Sequence, residues 1–330
     1  MPGLRNDQVA LYLKDMYKAE REGYREIETK YDKVFKVKTG VKGAGDKVTQ
    51  ILGAGRLTRH LTEGQQIVFK SPVEGWPFLV KYHTFSDGIA LSKEAVEDTV
   101  KLGNLIKELA NTWGKQVRIE KETFGARIFN EGGNLSGDWI FNGTHAGNTD
   151  SSGDLMYDGK PLFNLTGSKR ATKGVAAASG YYNSVAGLTV TPANFETLYI
   201  LHTSTNNIDE RGSIVQNPCD TFLCRPGADR FLAERILDTS RGMPGGELND
   251  KNPYYKMLSI IDWDYLEAAE AAHFIGKKQS ENFQFHERQM SEIRFFRDET
   301  NLGYKASINI RIGILLKNWR DWTRGGGTSA

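Results

Sequence analysis

Leu302-Gly303-Tyr304-Lys305-Ala306-Ser307-Ile308-Asn309-Ile310-Arg311-Ile312-Gly313-Ile314-Leu315-Leu316 is the most regular stretch of this 330-residue chain. Leu302, Tyr304, Ala306, Ile308, Ile310, Ile312, Ile314 and Leu316 alternate with glycine, polar or basic residues and one leucine. A period of two sends successive side chains to opposite faces, so the pattern predicts a long strand with one buried face. About fifteen residues at ~3.3 Å each give ~50 Å of strand. The run Glu292 to Asp298 is placed to pair with it through a turn at Glu299 to Asn301.

A second long element stands far upstream. Ser92 is a candidate N-cap with Glu94 in the first turn. Val96, Val100, Leu105, Ile106, Leu109 and Trp113 recur at helical spacing, and Val117, Phe124 and Ile128 carry the stripe to about Asn130. An unbroken helix there would have ~38 residues and a length of ~57 Å, with Gly114 and Gly125 as candidate bends. A long strand beside a long helix predicts an elongated slab rather than a globule around a pocket.

Between the N-terminus and that helix lie three further features. A charged helix is predicted from an N-cap at Asp7 to about Lys30, with Val9, Leu13, Met16 and Tyr17 near one face. The first fifty residues hold 11 Lys/Arg against 8 Asp/Glu, which predicts a solvated or partner-facing arm rather than core. Gly40 to Gly55 is glycine-rich and reads as a flexible connector. Gln65 to Lys70 and Phe78 to Phe85 are β-prone runs separated by the turn-rich Ser71-Pro72-Val73-Glu74-Gly75-Trp76-Pro77, which predicts a hairpin. Phe78, Val80 and Tyr82 fall on one face of it, Leu79 and Phe85 on the other. A two-stranded ribbon has little core of its own, so a neighbour is expected to cover it.

Downstream of the long helix, eleven glycines lie between Gly132 and Gly187, implying extended loops with short strands. Thr191-Pro192 is a cap followed by proline at the first helical position, with Phe195, Leu198, Tyr199 and His202 at helical spacing. Thr221 to Cys224 reads as a short strand, and Ala228 to Leu237 as a helix with Phe231, Leu232 and Ile236 inward. Arg241 to Pro253 reads as a loop; strands are predicted at Tyr254 to Ile261, His273 to Gly276 and Phe283 to Phe285.

Composition and motifs bound the function. Hydrophobic content is 39%, charged content 25% and formal net charge +2, the profile of a folded chain and not of a dedicated nucleic-acid binder. Met1 to Ala10 has no apolar core, so it is not read as a secretory signal, and no run reaches the ~18 apolar residues of a membrane helix. Cys219 and Cys224 lack the second pair that a zinc site needs and read as ordinary, partly buried thiols in a reducing compartment. The six histidines, His60, His83, His145, His202, His273 and His286, show no metal-ligand spacing; His286-Glu287 would need a histidine where Met290 stands. Asp150, Asp154 and Asp158 are spaced four apart, unlike a calcium loop. Asn134, Asn142 and Asn164 fit the glycosylation pattern, which carries meaning only after secretion. No cofactor, metal or catalytic site is expected.

The order of parts then resembles a known family. Glu63-Gly64-Gln65-Gln66-Ile67 leading into the ribbon, and Gly88-Ile89-Ala90-Leu91-Ser92-Lys93-Glu94 opening the helix, are similar to the E-loop and spine helix of Hong Kong 97-type major capsid proteins of tailed bacteriophages. Asp158-Gly159-Lys160-Pro161-Leu162-Phe163 is similar to a loop in one branch of these capsids. Asn217-Pro218 through Arg225-Pro226, followed by the Ala228 helix, resembles their axial domain, and Ile293 to Arg311 their peripheral return strands. The resemblance implies an α+β fold. Its parts are an N-terminal arm (1–60), an E-loop β-ribbon (61–88), a peripheral domain with the spine helix (89–140), an axial domain with a glycine-rich loop (141–290), and return strands with a C-terminal tail (291–330).

The implied function is structural: pentamers and hexamers of an icosahedral head around double-stranded DNA, in the virion, assembled in the host bacterial cytoplasm. The implied partners are further copies of the chain, a scaffolding protein, a portal, a decoration or cement protein, and packaged DNA contacted through charge. No membrane is involved. Intersubunit contact is expected at Lys70, Glu74, Gly75, Trp76, Phe78, Val80 and Tyr82 of the ribbon. Two other readings stand beside this one. An encapsulin-type compartment shares the fold and encloses protein cargo; a carbohydrate-binding protein or enzyme would use the aromatic, Asp-rich loop from Trp139 to Tyr157.

Overall fold

The computed structural model describes residues 6–42, 46–52, 59, 66, 67, 69, 73–92, 102–133, 160–170, 180–208, 214–242, 251–267, 272–297 and 303–327. Two sheets share one core. The first has four strands in the order β1, β9, β10, β4, with β1 at Phe35–Thr39, β4 at His83–Leu91, β9 at Ser280–Arg297 and β10 at Tyr304–Leu316. Strand β10 pairs antiparallel with both neighbours, from Tyr304 opposite Arg297 on one side and Leu91 on the other. The period-two pattern does what it predicts: Tyr304, Ala306, Ile308, Ile310 and Ile312 are buried and the residues between them half-buried, after which Ile312 to Leu316 are buried throughout. Strand β1 pairs parallel with β9, tying residues near the N-terminus to the last quarter of the chain.

Helix α1 (Asn6–Glu26) and the 29-residue α3 (Leu102–Asn130) pack on this sheet; α2 (Tyr31–Val34) is one short turn between α1 and β1. Ile106, Ala110, Trp113, Val117, Phe124 and Ile128 form the buried face of α3, at the spacing an amphipathic helix requires. Near its C-terminal end Phe129 joins the two sheets. Its ring centroid lies 5.9 Å from that of Phe35, 6.0 Å from that of Trp263, 5.0 Å from that of Phe274 and 5.2 Å from that of Trp322.

The second sheet has five strands: β5 (Ser184–Val185), β11 (Trp322–Gly325), β8 (His273–Gly276), β6 (Thr221–Cys224) and β7 (Ser259–Asp262), in that order. Helices α4 (Pro192–Ile200, continued by a π turn over Leu201–Thr205) and α5 (Ala228–Leu237) cover it around Phe195, Leu198, Phe222, Ile236, Leu237 and Ile275. Thr191 caps α4 as its sequence predicts, accepting from the Asn194 N–H with Pro192 at the first helical position.

Several expectations are corrected. Helix α3 is seen from Leu102, and residues 93–101, where its start was expected, lie outside the described residues. Gly114 and Gly125 do not interrupt it. Gly114 instead admits the backbone of α1, since a Cβ there would lie 2.1 Å from the Glu20 carbonyl oxygen, and Gly125 sits under Trp263 and Phe35. The N-terminal segment is not a solvated arm: Met16, Ala19, Tyr31, Val34 and Phe35 belong to the main core. The stretch Gly40 to Gly55 is not merely a connector, because Asp46–Leu52 is strand β2. Strand β2 pairs antiparallel with β3 (Val73–Val80), so the ribbon is β2–β3 and the segment called a turn is strand from Val73 onward. The predicted run Phe78 to Phe85 is split at Lys81 and Tyr82, after which β4 leaves the ribbon for β10. Phe231 of α5 is exposed; Ala233, Ile236 and Leu237 face inward, because β6 and β7 lie on that side of the helix. The strand expected at Tyr254 to Ile261 begins at Ser259, after a turn over residues 253–256.

Candidate assembly surface

The root of the ribbon is fastened to the body. Val80 has no exposed surface, and Gly313 of β10 makes room for the crossing: a Cβ there would meet the Lys81 carbonyl oxygen at 2.6 Å and Val80 Cγ1 at 3.2 Å. Tyr82 stacks on His286, its hydroxyl is 3.1 Å from His286 Nδ1, and the Arg288 guanidinium lies 5.2 Å from its ring centroid. The expectation that Val80 is covered by a neighbour is therefore corrected, since it has no surface left to bury; Tyr82, half-buried, is anchored on its own chain. Glu74, Gly75, Trp76 and Phe78 lie in β3 and Lys70 lies outside the described residues.

Two buried carboxylates stiffen the body beneath this root. Glu287 of β9 accepts from Lys121 Nζ at 2.9 Å and from the Tyr31 hydroxyl at 2.8 Å. Glu122 accepts from the backbone N–H groups of Lys30 and Tyr31 and from Trp263 Nε1 at 2.7 Å, fixing the start of α2 to the spine. Burial pushes the Glu122 carboxyl above its usual range, and those donors oppose the shift.

Beyond the root the chain presents apolar surface. Ile67 is 66% exposed and Phe69 92% exposed, two residues apart in the segment that the ribbon carries. A second apolar feature lies where β4 meets α3. A groove of about 570 Å³ opens between Phe85, Asp87, Trp113, Gln116, Ile119 and Glu120, with β10 as its floor. Trp113 Nε1 donates to Asp87 Oδ2 at 2.9 Å, which holds one wall; Ile119 is 40% exposed and lies off the buried stripe of α3. Burial raises the Glu120 carboxyl, with Arg127 pulling the other way. Along the same wall β4 is an edge strand, so its outward N–H and C=O groups have no strand partner among the described residues.

Reading the sequence picked out the ribbon but not this surface. The period-two pair Ile67 and Phe69 was a signal for it, and so was Ile119, an apolar residue at the wrong phase of the spine helix. The aromatic loop Trp139 to Tyr157 and the aspartates at 150, 154 and 158 lie outside the described residues.

Four of the described cysteine and histidine side chains are shielded from solvent wholly or in part. Among the described residues no cluster of His, Cys, Asp and Glu is arranged to hold a metal ion. Cys219 is half-buried and Cys224 buried, and burial pushes both thiols up to about 12. Burial lowers His202 and His273 to about 4; His202 is held between the Thr323 hydroxyl and the Pro218 carbonyl. No described helix is long and apolar enough to cross a membrane.

No family model matches the chain, and no curated protein matches it by sequence. Solved structures do. The capsid of Cyanophage P-SCSP1u superposes with a TM-score of 0.50 at 10% identity, over 92% of this chain and 89% of that one. A virus-like particle from Pyrococcus furiosus gives 0.49 at 10% identity over 95% and 98% of the two chains. An encapsulin complex from Synechococcus elongatus gives 0.47 at 9% identity over 88% and 84%. The fold rests on the first of these three. Spine helix, ribbon and paired sheets together make this chain an example of the α+β Hong Kong 97-type capsid fold.

Proposed function

We propose that the chain is a shell subunit, the major capsid protein of a tailed phage, forming pentamers and hexamers of an icosahedral head around double-stranded DNA. The observation that carries this reading is the extent of the fold likeness, 92% of this chain and 89% of the cyanophage capsid chain. A subunit in a closed lattice touches several neighbours at once, so modest contacts multiply into a stable shell. Ribbon residues Lys70, Glu74, Gly75, Trp76 and Phe78 are assigned to those contacts. A scaffolding protein, a portal and a decoration protein are the further partners this role calls for, in the virion and in the host cytoplasm where the head is built.

DNA is favoured over protein cargo by the outer face of α1. Lys14, Lys18, Arg21 and Arg25 are exposed there at helical spacing with Glu22 among them, while the neighbouring Asp15 and Glu26 are engaged by Lys107 at 3.1 Å and Lys115 at 2.7 Å, so basic residues outnumber the free acid four to one. Such a stripe contacts phosphates through charge without reading sequence. Particles purified from the cells that naturally make the chain, treated with nuclease and then extracted, test the reading. Icosahedral particles holding protected double-stranded DNA support it. Particles holding a protein cargo would move it to the encapsulin type, and a chain that stays monomeric at every concentration would end both.

A further inference from the structure

Strand β9 carries a β-bulge opposite Arg311 of β10. Ile312 pairs with Glu287 and Arg311 with Gln289, so Arg288 is the extra residue and stands against Arg311 together with Gln289. The two arginines share a face. The Arg288 guanidinium lies 5.2 Å from the Tyr82 ring centroid, and a Cβ on Gly313 would meet that ring at 2.9 Å. Arg311 is two residues from Gly313 on β10 and so points the same way, beside the root of the ribbon. Helix α1 packs on the other face, where Tyr12 meets Phe295 and Tyr17 bonds Ile293. Like charges set against each other across strands are destabilising, and a bulge is a device for aiming a side chain.

Among the described residues neither guanidinium has a hydrogen bond or an ion pair, and Arg288 Nη1 and Arg311 Nε are buried atoms without an acceptor. The neighbouring acids are engaged elsewhere. Glu287 points through the sheet to Lys121 and Tyr31, and Glu292 accepts from Arg294 at 2.9 Å and from Gln289. Positive charge is in excess along this face. Lys38 pairs with His286 in the next row, and burial together with the Lys38 charge pushes the Lys317 ammonium below its usual range, with Glu281 pulling the other way. Buried donors without an acceptor are rare in folded proteins, and an opposed pair of them on two cations is what an anion would satisfy.

We propose that Arg288 and Arg311 bind a dianionic phosphate group at the root of the ribbon, with the hydroxyl of Thr84, the β4 partner of Arg311, as a further donor. Guanidinium N–H pairs match phosphate oxygens as a fork. Charge decides the class: one dianion neutralises both arginines, whereas a side-chain carboxylate or a phosphodiester of DNA brings a single negative charge. Both arginines are half-buried, so the site is reachable from solvent. Bound there, the anion ties β9 to β10 beside the segment where the ribbon leaves the body. The site is complete on one chain and does not depend on the shell reading.

Melting of the full-length chain at constant ionic strength, with inorganic phosphate replacing part of the chloride, tests it. Phosphate at about a hundredfold excess over its dissociation constant is expected to raise the melting temperature by on the order of 5 °C, and calorimetry to count one phosphate per chain. Arg311→Gln removes one of two opposed charges, so it should melt no lower than the wild type in chloride and gain nothing from phosphate. Arg288→Gln should behave alike, whereas a purely structural arginine would lower the melt in chloride when replaced. A nucleoside monophosphate that outdoes inorganic phosphate supports the site and names a nucleotide as the source of the group. Acetate that matches phosphate overturns the assignment in favour of a protein carboxylate. A wild-type chain that melts alike in phosphate and chloride, or a phosphate shift that persists in both variants, overturns the site itself.

Discussion

Lys121 of the spine helix and Glu287 of β9 form an ion pair at 2.9 Å with side chains only 6% and 5% exposed. Tyr31 and Tyr24 complete the site, the first donating to Glu287 and the second accepting from Lys121. Removing one partner leaves an uncompensated buried charge, which costs about 3–5 kcal/mol. Lys121→Met is therefore expected to be severely destabilised in denaturant melts. Lys121→Met combined with Glu287→Leu removes both charges and should recover most of the loss; a double variant no better than the single would contradict the assignment.

Gly23 and Gly114 let α1 and α3 touch backbone to backbone. A Cβ at either position would come within 2.1 Å of a carbonyl oxygen on the opposite helix, of Asn111 and Glu20 respectively. On an isolated helix Gly→Ala gains about 1 kcal/mol. Here neither backbone can yield, so overpacking, typically about 1–3 kcal/mol and here at the high end, should win. Gly23→Ala and Gly114→Ala are expected to lower the melting temperature by several degrees, and a rise would show that the helices separate more easily than their packing implies.

Buried neutral histidines predict an acid-side loss of stability. His202 and His273 are held down to about 4 by burial, below the ordinary 6.5. Between those values the unfolded chain binds the proton and the folded chain does not, so stability is full above about pH 6.5 and falls as pH drops toward 4. The limit is roughly 3 kcal/mol for each histidine. Glu122 and Asp321, whose carboxyls burial raises, act in the opposite sense. Chemical melts from pH 8 to pH 4 should show the slope, and His273→Gln should flatten it.

Thiol chemistry gives a simple readout of the native core. With both cysteines pushed up to about 12, thiolate is scarce at pH 8, and neither should react with a thiol reagent until the chain unfolds. Labelling followed by intact mass gives zero adducts for the folded protein and two after denaturation. Two rapid adducts under native conditions would place the second sheet's core in contact with solvent.

How much of this was legible beforehand follows from how local each signal is. The β10 alternation, the Thr191 cap and the Thr221–Cys224 strand are written within a few residues, and each appears where its pattern put it. The partner of β3 is not local. It is chosen across the twenty residues between Leu52 and Val73, and the nearer Gln65 to Lys70 looked the better match. Val80 was read as surface because the space that receives it is made by Gly313, more than two hundred positions away. Phe231 shares its helical phase with Leu232 and Ile236, but which side of α5 meets the sheet is settled by β6 and β7. The same holds for the candidate surface: Ile67, Phe69 and Ile119 each carry a phase signal, while their exposure is settled by elements far away in the sequence.

Strand β1, near the start of the chain, is completed by β9, and β4 by β10, both from the last fifty-odd residues. During synthesis the first sheet therefore has no centre until residues 280–316 have emerged, more than two hundred positions after β1. A truncated or half-made polypeptide lacks the β10 floor of the groove. The order in which the strands emerge thus acts as a quality gate, since an incomplete chain cannot close the first sheet.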